Sequence, residues 1–511
     1  MTRAKRAVTA GLVLALALGC DATAPERLTF PPGFRFGTAV AGFQADMGCP
    51  TLGAACDDPS SDWYAFVTSP TMIADPATFL SGDPPAAGPG MWELYEADCD
   101  RAAHELGTNA LRFSLEWSRI FPTATDDADG YEALQALADP SALAHYHAML
   151  QALATRGLEP LVTLNHYTLP AWIHDGVGCH EDLGACSPRG WLDAERTVRE
   201  IAKYAGFCAR EFGAEVDLWA TLNEPFAIVL PGYVYPSADR VNPPAVKLMS
   251  AEAKVVVRAL ITAHARMYDA VKAADVVDAD GDGLASQVGV VYAMSPARPK
   301  DPENPFDVQA AANVFYLYNL VYLNAVAHGD LDADLTGTPV HDESLANRLD
   351  YLGVNYYTRV TVEGLEGPFL PQLSPLTTFN PFTLEAWEDY PRGIYEMLMA
   401  ARDLGVPAIV TENGTPDPAD DGTGPSYLVR HLAWVARALR DGADVRGYYY
   451  WTLMDNYEWN HGMGIKMGLY AVSPDDPAKL RVPRGGAAAY GAIARAGAIP
   501  TDLLARYPAA P

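Results

Sequence analysis

The sequence predicts an α/β fold, a single closed (β/α)₈ TIM barrel with elaborated loops at its C-terminal rim. Eight short apolar runs, rich in β-branched and aromatic residues, recur along the chain, and helical patterns separate them. Alternation of this kind is typical of a parallel sheet, and eight such units favour a closed barrel over an open sheet. The sequence shows no internal repeat with a period of about 20–50 residues, which argues against a solenoid.

The predicted elements follow one another in a regular order. The eight strands are expected at 36–41, 110–113, 158–164, 216–221, 288–292, 351–354, 408–410 and 447–450. The helical patterns between them include 91–106, 143–156, 194–212, 251–273, 310–327, 387–404 and 426–440. At 511 residues the chain is long enough for several domains, but α/β barrels often run well beyond about 150 residues as one unit.

The charge balance limits the partners of the protein. Lys and Arg number 36 against 64 Asp and Glu, a formal net charge of −28. A chain this acidic is repelled by phosphate backbones and by anionic lipid, so nucleic acid is excluded as a partner. We interpret most of the acidic surplus as a solvated coat.

The N-terminus has the pattern of an export signal. Arg3, Lys5 and Arg6 precede an apolar run at 7–18, which ends at Gly19 and Cys20. The stretch around Cys20 resembles a bacterial lipoprotein signal, in which the cysteine becomes the lipid-carrying first residue. Simple secretion is the alternative.

These features predict the organisation of the chain. We expect a signal at 1–20, a short tether at 21–30 and a catalytic barrel at 31–511. The protein is then exported, either to a bacterial cell envelope or into the medium, and contacts a membrane only through a lipid anchor on Cys20.

The remaining cysteines include two local pairs. Cys49 and Cys56 are separated by six residues, as are Cys179 and Cys186, and both pairs lie in segments rich in Gly, Pro and Asp. In an exported chain this pattern predicts two disulfides that hold loops.

Polar and aromatic residues are dense where the predicted strands end. The functional residues of a barrel of this type lie at the carboxyl ends of its strands, so these residues predict one site at the barrel mouth. They are Gln44, Arg112, His166, Asn223, Glu224, Asn355, Tyr357, Glu412, Asn413 and Trp451.

Glu224 and Glu412 are the candidate catalytic pair. They follow the fourth and seventh predicted strands, which face each other across the mouth of a closed barrel. Two carboxylates that share a cavity are typical of glycoside hydrolysis, where one protonates the leaving oxygen and the other attacks carbon or activates water. We expect Arg112 to hold one of them ionised, while a less compensated environment keeps the proton on the other.

At these residues the sequence resembles glycoside hydrolase family one, the retaining β-glycosidases, from about residue 34 to about residue 483. The matching motifs appear in the family's order. They are F-R-F-G-T-A at 34–39, L-R-F-S-L-E-W-S-R-I-F-P at 111–122, N-H-Y-T-L-P at 165–170, N-E-P at 223–225, G-V-N-Y-Y at 353–357, T-E-N-G at 411–414 and D-N-Y-E-W at 455–459.

The resemblance implies a role for each matching residue. Glu412 resembles the nucleophile, and Glu224 the acid that later acts as a base, with carboxyl groups about 5–5.5 Å apart. Arg112 and Tyr357 match the family's partners of the nucleophile. The substrate-binding residues that match are Gln44, His166, Asn223, Asn355, Trp451, Glu458 and Trp459. Tyr167 departs from the pattern, since a Trp commonly follows the motif His.

The resemblance also narrows the substrate. Glu458 is present where the branches that cleave 6-phosphoglycosides lose a carboxylate, so we expect an unphosphorylated sugar. Glu224 is present where the plant thioglucosidases lack the acid, which favours β-O-glycosides. The expected activity is that of an exo-acting β-glucosidase that requires no cofactor and binds a small carbohydrate. Transglycosylation and a non-catalytic carbohydrate-binding barrel are the alternatives.

A second acidic motif lies far from these residues in sequence. Asp278, Asp280 and Asp282 alternate before a glycine, as at the start of a calcium loop, but Gly289 occupies the position of the bidentate Glu. A structural calcium ion and a solvated acidic turn are equally compatible with the motif. Since the motif precedes its strand, we expect it on the barrel face opposite the carboxylates.

Overall fold

The computed structural model describes residues 28–509. The predicted signal, Cys20 and most of the predicted tether lie outside the described residues. Leu28 and Phe30 already belong to the barrel body: the backbone of Phe30 donates to Gly497 (3.0 Å), and Ile499 donates to Leu28 (2.9 Å). The folded body therefore begins before residue 31, and the last part of the predicted tether is not a free linker.

Eight parallel strands form a closed barrel, which confirms the predicted fold class. In chain order they are β1 (Arg35–Ala39), β2 (Ala110–Ser114), β3 (Glu159–Asn165), β4 (Leu218–Asn223), β5 (Gln287–Ala293), β6 (Tyr351–Asn355), β7 (Ala408–Glu412) and β8 (Val445–Trp451). Each strand pairs with its neighbours in sequence, and β1 pairs with β8 to close the barrel.

Several strands extend further toward their carboxyl ends than the apolar runs indicated. Asn223, Asn355, Glu412 and Trp451 are the last residues of β4, β6, β7 and β8. The apolar signal stops earlier because these positions face a polar site rather than a core. The functional side chains are consequently held by the ladder of the barrel itself.

Helices and small sheets surround the barrel. The α-helices are Gly42–Asp46, Asp62–Thr68, Pro70–Ala74, Met91–Asp100, Trp117–Ile120, Tyr131–Gln135, Pro140–Thr155, Gly176–Glu181, Ala194–Phe212, Pro225–Val229, Ser250–Ala274, Pro305–Phe315, Val321–His328, Arg392–Asp403, Thr423–Arg440, Gly485–Ala496 and Thr501–Arg506. The 3₁₀-helices are Ala54–Cys56, Pro85–Ala87, Gly190–Leu192, Pro381–Thr383 and Trp459–His461, and π-helical turns span Arg101–Leu106, Leu230–Val234 and Tyr316–Leu320. Short strands pair as Ala297–Pro299 with Val360–Val362, Asp330–Leu331 with Val340–His341, and Tyr470–Ala471 with Val482–Pro483.

The helix predicted at 387–404 begins later, at Arg392. Pro391 explains the difference, because a proline disfavours helical geometry in the residue before it. Trp387 therefore lies in a loop, where 65% of it is exposed.

Two apolar layers hold the fold together. One lies between the barrel and its helices, and the other fills the barrel interior with residues such as Ala39, Ala110, Leu161, Ala220 and Ile409. Small residues dominate the interior layer on several strands, which leaves room for Arg112, whose side chain is fully buried. The bottom of the site therefore consists of the buried guanidinium of Arg112 above the apolar side chains of the barrel interior.

Both carboxylate-bearing strand ends are irregular. On β4, Leu218 and Ala220 face the barrel interior, but Leu222 packs in the outer layer, and the pairing register shifts between Ala220 and Asn223. The pairing of β7 with β6 shifts likewise between Val410 and Glu412. Such bulges redirect side chains near active sites, and here they turn Asn223 and Glu412 toward the barrel mouth.

The two predicted disulfides are confirmed: Cys49 bonds to Cys56, and Cys179 bonds to Cys186. Cys99 and Cys208 are buried free thiols. Between residues 28 and 509, no helix combines the length and the apolar character needed to cross a membrane.

Candidate active site

The carboxyl ends of the strands bring the predicted residues together in one pocket. Arg112 lies at its floor and donates four hydrogen bonds, to Thr163 Oγ1 (3.0 Å), the Thr411 carbonyl (3.4 Å), Glu412 Oε1 (2.6 Å) and Asn223 Oδ1 (2.7 Å). A fully buried guanidinium needs such partners to offset the loss of its hydration. Arg112 thereby fixes the positions of side chains from three other strands.

Glu412 is held on both of its oxygens. Arg112 pairs with Oε1, and the hydroxyl of Tyr357 donates to Oε2 at 2.6 Å. Burial raises the pKa of Glu412 to about 7, and Arg112 and the Tyr357 hydrogen bond act against that rise. The expected contact with a cation is present, but burial has the larger effect on this carboxyl group.

Glu224 has neutral partners only. Asn355 Nδ2 donates to Oε1 at 2.8 Å, and the hydroxyl of Tyr167 donates to Oε2. Within residues 28–509, no Lys, Arg or His forms an ion pair with Glu224. Its backbone has a φ of 45°, a left-handed conformation directly before Pro225, which begins the next helix. The environments of the two carboxyl groups therefore differ as expected, with the cation on Glu412.

Two asparagines connect the carboxyl groups. Asn223 Oδ1 accepts from Arg112 Nη2 and from Asn355 Nδ2 (3.2 Å), and Asn355 also donates to Glu224. An unbroken hydrogen-bonded chain thus runs from Glu412 through Arg112, Asn223 and Asn355 to Glu224. Electrostatic repulsion from Glu224 also contributes to the raised pKa of Glu412, as expected for two acids in one cavity.

We predict that Tyr357→Phe shifts the acidic limb of the pH profile of kcat/KM upward. The Tyr357 hydroxyl stabilises the ionised form of Glu412, so its loss raises the pKa of that carboxyl above the value of about 7. A hydrogen bond worth about 1 kcal/mol corresponds to a shift of about 0.7 pH unit. The measurement is the pH dependence of kcat/KM for an aryl β-glycoside.

Tyr268→Phe is the matched control for this prediction. It also removes a hydrogen bond from a tyrosine to a carboxylate, Tyr268 to Asp350 (2.7 Å), but at the amino end of β6. An unchanged acidic limb in the Tyr357 variant, or an equal shift in the control, contradicts the assignment of this limb to Glu412.

Two further predicted sugar-binding residues, Gln44 and Glu458, contact each other. Gln44 Nε2 donates to Glu458 Oε2 at 3.0 Å, and Gln44 Oε1 is buried without a partner among residues 28–509. Burial raises the pKa of Glu458 to about 7, against the effect of Arg240 and Gln44. A buried acceptor without a partner is costly, so Gln44 Oε1 is a natural contact for a sugar hydroxyl.

His166 presents a fixed donor to the same space. Asn223 accepts at Oδ1 from Arg112, so its Nδ2 donates to His166 Nε2 at 3.1 Å. Burial and the charges of Arg112 and Arg240 hold the pKa of His166 well below its usual range, so the ring is neutral with its proton on Nδ1. In the described chain Nδ1 is buried without a partner, which makes it available to a hydroxyl.

The two predicted tryptophans lie against His166. The ring centroids of Trp451 and Trp459 are each 5.9 Å from His166, and their planes are nearly parallel to it. Trp459 also stacks on Phe43 at 5.7 Å. Both indoles are almost fully buried. Each side chain therefore packs in the core with one part of its ring and can line the site with another.

Three residues of the site were not predicted to contribute to it. Tyr167 departs from the family's motif, yet its hydroxyl donates to Glu224. Arg240 lies beside Glu458. The ring centroids of Trp387 and Tyr357 are 6.5 Å apart. The Tyr-Pro pair at 390–391 was the signal that Trp387 belongs to a loop; Arg240 has no comparable local signal.

The acidic motif lies at the amino ends of β4 and β5, away from Glu224 and Glu412. Asp217, Asp278 and Asp280 each offer one oxygen, and these oxygens lie within 4.8 Å of one another. Asp282 is not part of this group: it accepts from the backbone of Leu284 and from Gln287. The sequence did not indicate Asp217, and calcium binding here stays a prediction that calorimetric titration of the chelated protein tests.

The chain is similar to known proteins along most of its length. The model of Glycosyl hydrolase family 1 matches residues 26–498. A β-galactosidase from Pyrococcus woesei is 36% identical over 496 residues, which cover 89% of this chain and 94% of that protein. A β-galactosidase from Sulfolobus acidocaldarius is 34% identical over 506 residues, 93% of this chain and 97% of that one. The crystal structure of the β-glycosidase from Thermosphaera aggregans has a TM-score of 0.80 at 31% identity, covering 93% of this chain and 99% of that chain.

Proposed function

The chain belongs to glycosyl hydrolase family 1 and is a retaining β-glycosidase, and we propose that it is an exo-acting β-glucosidase that also accepts β-galactosides. The observation that carries the mechanism is the hydrogen-bonded chain from Glu412 to Glu224. It gives one carboxyl group a cation and the other only neutral partners. The reaction requires no cofactor.

In the first step Glu412 attacks the anomeric carbon and Glu224 protonates the departing glycosidic oxygen. The bond between carbon and the leaving oxygen breaks as the bond to Glu412 forms, which inverts the configuration once. Arg112 and Tyr357 position Glu412 for this attack, and Asn355 and Tyr167 position Glu224.

In the second step Glu224, now ionised, takes a proton from water, and the water oxygen attacks the same carbon. Glu412 leaves as a carboxylate and the second inversion restores the β configuration. Asn223 is positioned to bind the 2-hydroxyl, a contact that strengthens in the transition state. Arg112 then stabilises the carboxylate that is released.

Glu458 and Gln44 bind the end of the sugar that carries C6. A fixed carboxylate at this place repels a 6-phosphate, so the substrate is unphosphorylated. Glu458 accepts from hydroxyls on both oxygens, while Gln44 and His166 offer one free acceptor and one free donor. A neutral pyranose satisfies all three groups.

A panel of 4-nitrophenyl glycosides tests the substrate assignment. We expect the β-glucoside to have the highest kcat/KM and the β-galactoside and β-fucoside to be cleaved. The 6-phospho-β-glucoside should be cleaved at least about 100-fold more slowly, since the carboxylate of Glu458, which already pairs with Arg240, repels a phosphate. Proton NMR during the first minutes should show the β-anomer as the first product. A 6-phosphoglycoside as the best substrate contradicts the proposal.

We predict that Trp387→Ala raises KM for β-linked oligosaccharides by about 3- to 10-fold and changes kinetics on a nitrophenyl glycoside less. Its exposed ring beside Tyr357 offers a stacking surface for a sugar beyond the cleaved bond, and one such contact is worth about 0.5–1.5 kcal/mol. Phe382→Ala is the matched control, an aromatic of the same loop that is 74% exposed. Equal KM changes in both variants contradict a specific contact by Trp387.

We also propose that the protein is exported and anchored by lipid on Cys20. The support is the basic start, the apolar run and the cysteine in sequence, together with two disulfides in the folded body. Metabolic labelling with a fatty acid should mark the wild-type protein, and cell fractionation should recover it with the membranes. The Cys20→Ala variant should carry no label. Labelling that persists in the variant contradicts the anchor; an unlabelled wild type in the medium indicates simple secretion.

A further inference from the structure

Arg240 is held next to Glu458 by its own loop. Ser237 and Arg240 exchange two backbone hydrogen bonds, which form a tight turn. Asn460 then ties this loop to the segment that carries Glu458: its Nδ2 donates to the Ala238 carbonyl (3.2 Å), and its Oδ1 accepts from the Val241 backbone (3.3 Å). The position of Arg240 relative to Glu458 is therefore defined by the fold.

The guanidinium of Arg240 faces three walls of the sugar pocket. Its Nη1 is 3.6 Å from Glu458 Oε1, and its Cζ is 4.9 Å from the ring centroid of Tyr167 and 5.2 Å from that of Trp459. One quarter of the side chain is exposed. Cation–π contacts of this kind hold the guanidinium in place without using its N–H donors.

The donors of Arg240 are free in a way that those of Arg112 are not. The N–H groups of Arg112 donate to four protein acceptors. The side chain of Arg240, in contrast, donates no hydrogen bond to any group in the part of the chain that the structure describes. Besides its ion-pair contact with Glu458, the guanidinium of Arg240 therefore keeps N–H donors available next to the proposed sugar site.

We propose that Arg240 is a specificity-determining residue that binds, together with Glu458, a hydroxyl at the C4–C6 end of the glycone. This inference rests on the proposed function. A hydroxyl both donates and accepts, so it donates its proton to the acceptor-only Glu458 and accepts from the donor-only Arg240. The pair matches a hydroxyl better than either charged group alone.

The test compares substrates that differ by one hydroxyl. We would measure kcat and KM for 4-nitrophenyl β-glucoside and its 4-deoxy and 6-deoxy analogues in the wild type, Arg240→Met and Arg240→Lys. Arg258→Met is the matched control, since Arg258 is an exposed arginine of the helix Ser250–Ala274 and forms no ion pair within residues 28–509.

We expect the loss of kcat/KM in Arg240→Met to depend on whether the substrate carries the bound hydroxyl. Arg240→Met should lower kcat/KM for the glucoside by about 10- to 100-fold, the range for a charge-assisted hydrogen bond, and Arg240→Lys should restore part of it. For the analogue that lacks the bound hydroxyl the loss should be at least several-fold smaller, which identifies O4 or O6. The control should match the wild type.

Two results overturn the inference. An equal loss for all three substrates shows that Arg240 acts only as packing for Tyr167 and Trp459, and a loss below about 2-fold shows that it does not contact the sugar. If the wild type cleaves none of the β-glycosides, the proposed function fails instead, so the two failures are distinguishable. Thermal melting followed by circular dichroism identifies a variant that fails to fold. If Arg240→Met fails to fold, the three substrates are compared between the wild type and Arg240→Lys instead.

Discussion

Replacing Glu412 with alanine is expected to lower kcat for β-glycoside hydrolysis by about 10⁴-fold or more, a loss of about 5.5 kcal/mol of transition-state stabilisation. The variant lacks the group that forms the covalent intermediate and leaves Arg112 without its anionic partner. Sodium azide should restore turnover by entering the space of the missing carboxylate. Because azide then attacks opposite the leaving group, NMR should identify an α-glycosyl azide.

Glu303→Ala is the control for this variant. Glu303 is an exposed carboxylate of the segment before the helix Pro305–Phe315, and its removal should leave kcat unchanged. Hydrolysis by the Glu412 variant at a near wild-type rate would disprove the mechanism. A β-glycosyl azide as the product would show that another group occupies the nucleophile's place.

Replacing Glu224 with alanine is expected to have the second largest effect, and one that depends on the leaving group. Without the acid, kcat/KM for an alkyl β-glucoside should fall by about 10³–10⁴-fold, the upper range for general acid catalysis. For a 2,4-dinitrophenyl glycoside, whose leaving oxygen needs no proton, kcat/KM should fall by less than about 10-fold. Deglycosylation then limits kcat, since no base activates the water.

Azide distinguishes the two carboxyl groups by stereochemistry. In the Glu224 variant azide attacks the covalent intermediate on Glu412, so the product should be the β-glycosyl azide. The same product anomer from both variants, or an equal loss of kcat/KM for both leaving groups in the Glu224 variant, contradicts the separate roles. A parallel measurement on Tyr167→Phe shows how much of the acid function depends on the Tyr167 hydroxyl.

The fold was predictable because its signal is local and repeated. Eight apolar runs between amphipathic helices indicate a closed parallel barrel, and each predicted strand overlaps an observed one. The errors lie at element ends. Pro391 moved the start of one helix, and strands such as β7 continue through polar residues that periodicity assigns to loops.

The candidate site was predictable to the extent that it lies in short motifs. Two general rules apply to the same positions: functional residues lie at the carboxyl ends of barrel strands, and paired carboxylates are typical of glycoside hydrolysis. Together they indicate Glu224, Glu412, Asn355 and Tyr357. Arg240 was not predictable in this way, because it lies in a long loop whose path depends on contacts with Asn460, 220 residues away in sequence.

The amino-acid sequence alone determined the barrel, its two carboxylates and the two local disulfides, because each depends on neighbouring residues or on a regular period. Only the tertiary structure decided which way Asn223 and Glu412 face, since strict alternation along β4 and β7 is broken by shifts in register against neighbouring strands. It also decided which neutral groups donate to Glu224, namely Asn355 and Tyr167, whereas the pairing of Arg112 with Glu412 was already implied by the resemblance of the motifs. These outcomes depend on packing between distant segments, and no single stretch of sequence contains them.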